Sequence, residues 1–265
     1  MKNVATISGT REWAHKTANC TNGCIHGCKY CFARYDAVVR FKRLTQEQWA
    51  NPSINEKALS KKWPKSEGTT IMFPSTHDIF PSNLDACLKF LENILKSGNN
   101  VLIVTKPHFE CTKKICDSFE NYKSQILFRF TICASDNSIL QYWEPGAPSF
   151  EERFTSLKLA HDRGFETSIS MEPCLDWPNV VDNFHLMAPY VTNSIWIGTL
   201  NYIDDRVEVK TDKDREMVKQ MKSWMTQETF QKVYEALKDH PLIKWKESMK
   251  KALNLPLVDE VGKDI

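Results

Sequence analysis

No run of eighteen apolar residues occurs in this chain of 265, which excludes a membrane-crossing helix of ordinary length. The opening residues Met1-Lys2-Asn3-Val4 lack the apolar core and cleavage site of a secretory signal, so a cytosolic protein with no membrane partner is expected. Neither sign of charge dominates. With 35 basic and 33 acidic residues the net charge is +2, and no global field demands nucleic acid as a partner. Internal repeats and low-complexity tracts are missing too, which removes solenoids and propellers. Of the nine cysteines, Cys87, Cys111, Cys116, Cys133 and Cys174 show no tight C-x2-C spacing, so a second metal centre has no support.

What the chain does have is 42% hydrophobic and 26% charged residues, enough for one large domain with a substantial core. Apolar, β-branched runs alternate with amphipathic stretches, giving strands expected near 14–20, 69–73, 101–105, 126–133, 166–171 and 194–200. Helices are expected from Tyr30, from a cap at Ser82 to Gly98, over 111–122, from a Ser149/Glu152 capping box to Gly164, and over 179–187. Repeated β–α units imply parallel strands joined by right-handed crossovers. Beyond Asp212 the pattern is helical. We therefore expect a core over residues 1–205 and a helical extension over 206–265 packed on it.

Between Gly23 and Cys31 the cysteines Cys24, Cys28 and Cys31 are spaced C-x3-C-x2-C. Three thiolates hold three irons of a cubane cluster and leave the fourth iron open, as catalytic zinc sites leave a position open where structural ones are closed. Cys20 keeps two other readings alive. It could complete a four-cysteine zinc site in a nucleic-acid-binding module without cofactor chemistry, or supply a fourth ligand in an electron carrier. Basic runs at Arg34, Arg40, Lys42 and Arg43, at Lys61, Lys62 and Lys65, and at Lys244, Lys246, Lys250 and Lys251 are either solvated faces or phosphate contacts.

The segment with Tyr30 before Cys31 resembles the radical S-adenosylmethionine (SAM) superfamily, whose signature is C-x3-C-x-aromatic-C. Gly23 to Cys28, Ser75-Thr76-His77-Asp78, Thr105-Lys106, and Glu144-Pro145 followed by Arg153 resemble its spore photoproduct lyase-related branch over roughly residues 15 to 200. The resemblance implies a partial (β/α)6 barrel, a [4Fe–4S] cluster on Cys24, Cys28 and Cys31, and SAM. It also implies an enzyme of lyase or oxidoreductase type, reduced by a donor such as a flavodoxin or ferredoxin, with nucleic acid among its candidate substrates.

In parallel β/α folds the carboxyl ends of the strands build the site. Ser75 and Thr76 match the segment contacting the cofactor's amino group, and Lys106 is the candidate for its carboxylate. Ser135 is the candidate for the ribose and the backbone at Ile197-Gly198 for adenine, while Glu172 serves substrate, cofactor or an ion pair with Arg129. Alternation turns Arg129, Thr131, Cys133 and Ser135 inward, with Ser168, Ser170 and Glu172. Glu144 and Arg153 form a candidate ion pair, and His77 and Asp78 either shape the substrate side or are internally satisfied. One departure concerns the reaction. The lyase places a hydrogen-donating cysteine near an early strand end, where this chain reads Phe73-Pro74-Ser75. Cys133 and Cys174, with Glu172, remain as catalytic candidates, and photoproduct repair is not expected.

Overall fold

The computed structural model describes residues 7–64 and 69–262. Lys65 of the second basic run and Met1 to Val4 lie outside the described residues. The first strand, β1 (Lys16–Thr17), enters the cluster loop, and a small antiparallel ladder of β2 (Thr21–Asn22) and β3 (Ser53–Ile54) follows. The main sheet continues with β4 (Thr70–Phe73), β5 (Asn100–Thr105), β6 (Ile126–Thr131), β7 (Glu166–Met171) and β8 (Ile195–Ile197). These five strands and β1 are the six expected ones. A seventh, β9 (Ile243–Trp245), comes from the helical extension, and the sheet runs in the order β1-β4-β5-β6-β7-β8-β9 with every pair parallel.

Both faces of the sheet are covered, so β5 reads as a nearly continuous apolar run, whereas β6 and β7 alternate polar inward residues with apolar ones under the helices. Outward residues Val101, Ile103, Phe128, Phe130, Ile169 and Met171 join the core beneath the helices. The helix Leu84–Lys96 answers that face with Cys87, Phe90, Leu91, Ile94 and Leu95, all at helical spacing. Its start differs from expectation. Ser82 lies in a 3-10 turn, Pro81–Asn83, and Asn83 accepts from the Phe80 N–H, so the serine caps nothing. Ser149 does cap the helix Phe150–Asp162, but Glu152 leaves the box open and accepts from the Phe109 N–H at 3.0 Å instead.

Inside the barrel Trp13, Met72, Leu102, Leu127 and Trp196 form a separate apolar floor. Arg129 is buried there between Trp13 and Trp196, with guanidinium-to-ring distances of 4.7 and 5.1 Å, and burial lowers its pKa to about 9. No ladder joins β1 to β9 among the described residues. The N-terminal turn Gly9–Glu12 bridges that seam. The Glu247 N–H donates to Glu12 at 3.0 Å, Lys246 pairs with Glu12 at 2.8 Å, and Lys246 donates to the Gly9 carbonyl at 3.0 Å. No described helix is long and apolar enough to cross a membrane.

Candidate cluster and cofactor site

The three cysteines are delivered by a loop whose shape its neighbours impose. Gly23 has φ +89°, and a Cβ there would meet the Trp49 carbonyl oxygen at 2.4 Å, so no other residue fits the turn that sends Cys24 N–H to that carbonyl. On the other side, Gly146 N–H donates to the His26 carbonyl and Lys29 N–H to the Trp143 carbonyl, both at 2.9 Å. The motif aromatic, Tyr30, is buried and donates its hydroxyl to Glu144. Glu144 in turn pairs with Arg153 at 2.6 Å, both fully buried, and Arg153 Nε donates to the Pro148 carbonyl at 2.8 Å. The expected Glu144–Arg153 pair thus holds the segment after β6 against the cluster segment.

Burial is the main force on the thiols. It pushes Cys24 up to about 12, with Asp78 adding to the effect, and it raises Cys28 and Cys31 as well. Metal binding must therefore displace protons from all three. Cations are close by. Lys106 Nζ lies 3.6 Å from Asp78 and 3.9 Å from Glu144, and although burial opposes its charge, Asp78, Cys28 and Glu144 keep it well above the usual lysine range. Burial alone would raise Asp78, yet Lys106 and His26 hold it well below its ordinary value. His26 reaches Asp78 at 2.9 Å through Nδ1 and His108 at 3.0 Å through Nε2.

A single zinc ion with four bonds of about 2.3 Å would draw its thiols to within about 4 Å of one another. Here the group whose ligand atoms lie within 4.8 Å of each other is Cys24, His26 and Asp78, not the cysteine set. Cys20 is turned away, with its sulfur 3.7 Å from Cys87 and its N–H donating to His77. Three spread thiols around one cavity fit a polynuclear cluster and leave no place for Cys20 as a ligand. His77 is satisfied internally through both ring nitrogens.

The cavity at the strand ends has a volume of about 900 Å3, and Cys24, Cys28 and Cys31 all line it. Ser75, Thr76, Lys106 and Glu172 line it too, with Thr131 and Ser170 as the inward residues of β6 and β7. Asn19 organises the first pair, accepting from the N–H groups of Ser75 and Thr76 at 2.8 and 2.9 Å. Glu172 lies 3.4 Å from Lys246, not on Arg129, whose guanidinium goes to Ser168 at 3.0 Å. Burial raises the Glu172 pKa even though Lys246 works against it.

Other expected residues do not reach the cavity. The inward alternation stops where β6 ends at Thr131, and Cys133 is fully buried in the core that also holds Cys28 and Tyr30, off the cavity lining. Cys174 lies in the same core, its N–H bonded to the Gly198 carbonyl at 2.8 Å. Ser135 is half-buried outside the cavity, on the turn that Asp136 closes as a helix cap. Gly198 makes room instead of contact, since its N–H goes to the Met171 carbonyl and a Cβ would meet Glu172 Cγ at 2.9 Å and Lys246 Cβ at 3.0 Å. Glu12, Trp13, Asn19 and Lys246 went unassigned in the sequence, because they act through contacts between distant segments. Among them only Lys246 stood in a marked run, and nothing local separates it from Lys244.

A three-cysteine loop at the carboxyl ends of a partial parallel β/α barrel is the architecture of the radical SAM fold. Solved structures similar in fold include spore photoproduct lyase complexed with dinucleoside spore photoproduct, at a TM-score of 0.58 and 13% identity over 92% of this chain and 79% of that one. A mutant of the same lyase with bound S-adenosylmethionine and the dinucleoside gives 0.54 and 14% over the same shares. SuiB of Streptococcus suis bound to S-adenosylmethionine gives 0.54 and 10% over 94% of this chain and 54% of SuiB. No family model and no curated protein matches the sequence. At these identities the likeness is one of fold.

Proposed function

We propose that this chain is a radical SAM enzyme whose one [4Fe–4S] cluster is held by Cys24, Cys28 and Cys31. The observation that carries this reading is the arrangement of three thiols, two buried and that of Cys31 half-buried, not all within 4.8 Å of one another and lining one cavity of about 900 Å3 at the barrel's strand ends. When bound, the reduced cluster and SAM supply an electron and a 5′-deoxyadenosyl radical that takes a hydrogen atom from the substrate. The protein's share is position, charge and the exclusion of water.

Ser75 and Thr76 form the amino-group side of the cofactor pocket, on a loop that Asn19 pins. Lys106 stays paired with Asp78 and Glu144 and supplies positive charge beside the cysteines, which offsets the negative charge of a thiolate-bound cluster. It serves less well as a free partner for the cofactor's carboxylate. Glu172 faces the cavity with one carboxylate oxygen near Lys246, and we assign it to hydroxyl or amine groups of cofactor or substrate. Residues 206–265 act as an extension that closes the barrel's edge.

Nucleic acid is the substrate class we favour. Arg11, Arg206 and Lys251 stand with Tyr202 around the cavity, and the lyase structures hold a dinucleoside. Photoproduct repair itself is not assigned, because Cys133 and Cys174 lie off the cavity and Ser75 occupies the early strand end. The nine free cysteines agree with a reducing cytosol, where a flavodoxin or ferredoxin serves as donor. Anaerobic reconstitution followed by dithionite and SAM should yield iron and sulfide at four each per chain, roughly, and 5′-deoxyadenosine. Zinc without iron, or a loaded cluster that never cleaves SAM, would sink the assignment.

A further inference from the structure

Directly after Cys31, whose sulfur accepts from the Arg34 N–H at 3.3 Å, the chain makes a short helix, Phe32–Arg34, and then a π-helix, Tyr35–Arg40. The π-helix and the turn after it carry five consecutive exposed residues, Val39 to Arg43. Phe32, Val39 and Phe41 are 43%, 46% and 48% exposed, which is unusual for large apolar side chains grouped so closely. Three cations accompany them. Arg40 and Arg43 place their guanidinium groups 4.9 and 4.7 Å from the Phe41 ring centre, and Lys42 is held in a left-handed turn at φ 49°. Asp36 is the one acid paired in this segment, 3.6 Å from Arg40, and Lys42 and Arg43 make no ion pair among the described residues.

A hollow of about 440 Å3 lies beside this surface and runs from Phe41 and Arg43 to Asn22 and Gly23. Both ends of the cluster motif abut it, since Gly23 precedes Cys24 and Phe32 follows Cys31. It shares Phe32, Ala33, Trp49 and Thr76 with the main cavity, whereas the side we assign to substrate is built from Arg11, Leu200 to Tyr202, Ser248, Lys251 and Arg206, whose carbonyl accepts from Arg34 at 3.2 Å. We infer that the Phe32 to Arg43 face is the docking surface for a small acidic one-electron carrier protein that reduces the cluster. The inference rests on the radical SAM reading above.

The physical case is one of chemistry and place. Breaking one sulfonium C–S bond consumes one electron, which leaves the carrier oxidised by one electron while no proton need cross the contact. Transient redox complexes use small interfaces, in which unlike charges steer encounter and a few apolar groups exclude water. Three cations around exposed Phe32, Val39 and Phe41 fit an acidic rim with an apolar centre. They fit a nucleic-acid strand less well. Two guanidinium groups already engage the Phe41 ring, and Val39 offers no stacking surface.

The test uses reconstituted holoenzyme and an acidic flavodoxin. Zero-length carbodiimide crosslinking, mapped by mass spectrometry, should join Lys42 to flavodoxin carboxylates. The variant R40E/K42E/R43E should lose that crosslink, bind flavodoxin on the order of tenfold more weakly at low ionic strength, and lose the salt dependence of binding. Flavodoxin-driven 5′-deoxyadenosine formation should fall by a similar factor, while dithionite-driven formation and iron content stay within about twofold. Unchanged flavodoxin binding and reduction in the variant would overturn the inference. So would retained flavodoxin binding with loss of affinity for a single-stranded oligonucleotide, which would make the face a nucleic-acid surface. If wild-type holoenzyme gives no cleavage even with dithionite, the radical SAM reading fails, and the crosslink and binding data still decide the docking surface separately.

Discussion

Single residues decide the site through what surrounds them. Cys28 and Cys20 are both buried cysteines near the same loop, yet one lines the cavity and the other contacts Cys87 and His77. Cys28→Ala should therefore abolish iron and sulfide uptake, while Cys20→Ala should load normally; equal loss in both, by metal analysis, would contradict this division. Gly198 poses a steric question. A methyl group there meets Glu172 Cγ at 2.9 Å and Lys246 at 3.0 Å, so Gly198→Ala should cost about 1–3 kcal/mol in a denaturant titration, the usual penalty for overpacking. A variant as stable as wild type would show that Glu172 and Lys246 move aside freely.

Among the elements, the helix Asp212–Trp224 is tied to the cluster loop by one side chain. Asp214 accepts from Tyr142 at 2.8 Å and from Lys29 at 3.1 Å, and it closes the capping box of its own helix, accepting from the Thr211 N–H at 2.9 Å while the Thr211 hydroxyl accepts from the Asp214 N–H. The hydrogen bond from Tyr142, followed by those from Thr211 and Lys29, holds its carboxyl below the ordinary aspartate range. A depressed carboxylate pKa contributes stability that is complete above its unfolded value near 4 and is lost as pH falls through the folded value. Asp214→Asn should lower the melting temperature by a few degrees at pH 7, with the gap to wild type shrinking as the pH drops below about 4. A gap that widens in acid would refute the tether. Element boundaries also show what a sequence reveals. Strand β5 is legible because burial on both faces writes a long apolar run, and β6 and β7 because apolar residues alternate with Arg129, Thr131, Ser168 and Ser170, whereas Ile243-Lys244-Trp245 is too short and too charged to announce β9. Cys133 marks the same limit. Alternation predicts its side only while the strand lasts, and β6 ends two residues earlier.

At the scale of the whole molecule, segments far apart in the sequence meet across the open seam of the partial barrel. The cysteine loop was readable because its three cysteines are local, but the seam between β1 and β9 is closed by residues more than 230 positions apart. Lys246 is 1% exposed, bonded to Glu12 at 2.8 Å and to the Gly9 carbonyl at 3.0 Å, and lies 4.0 Å from the Trp13 ring centre. Its distance of 3.4 Å from Glu172 connects this closure to the cavity wall. Removing one member of a buried ion pair leaves an uncompensated charge, which costs about 3–5 kcal/mol, whereas removing both costs far less. Lys246→Met should accordingly lower the urea midpoint sharply, and the double variant E12Q/K246M should recover much of the loss. Additive losses in that cycle would mean that the seam is held by the apolar contacts of Trp13 and Trp196 alone, with the two chain ends electrostatically independent.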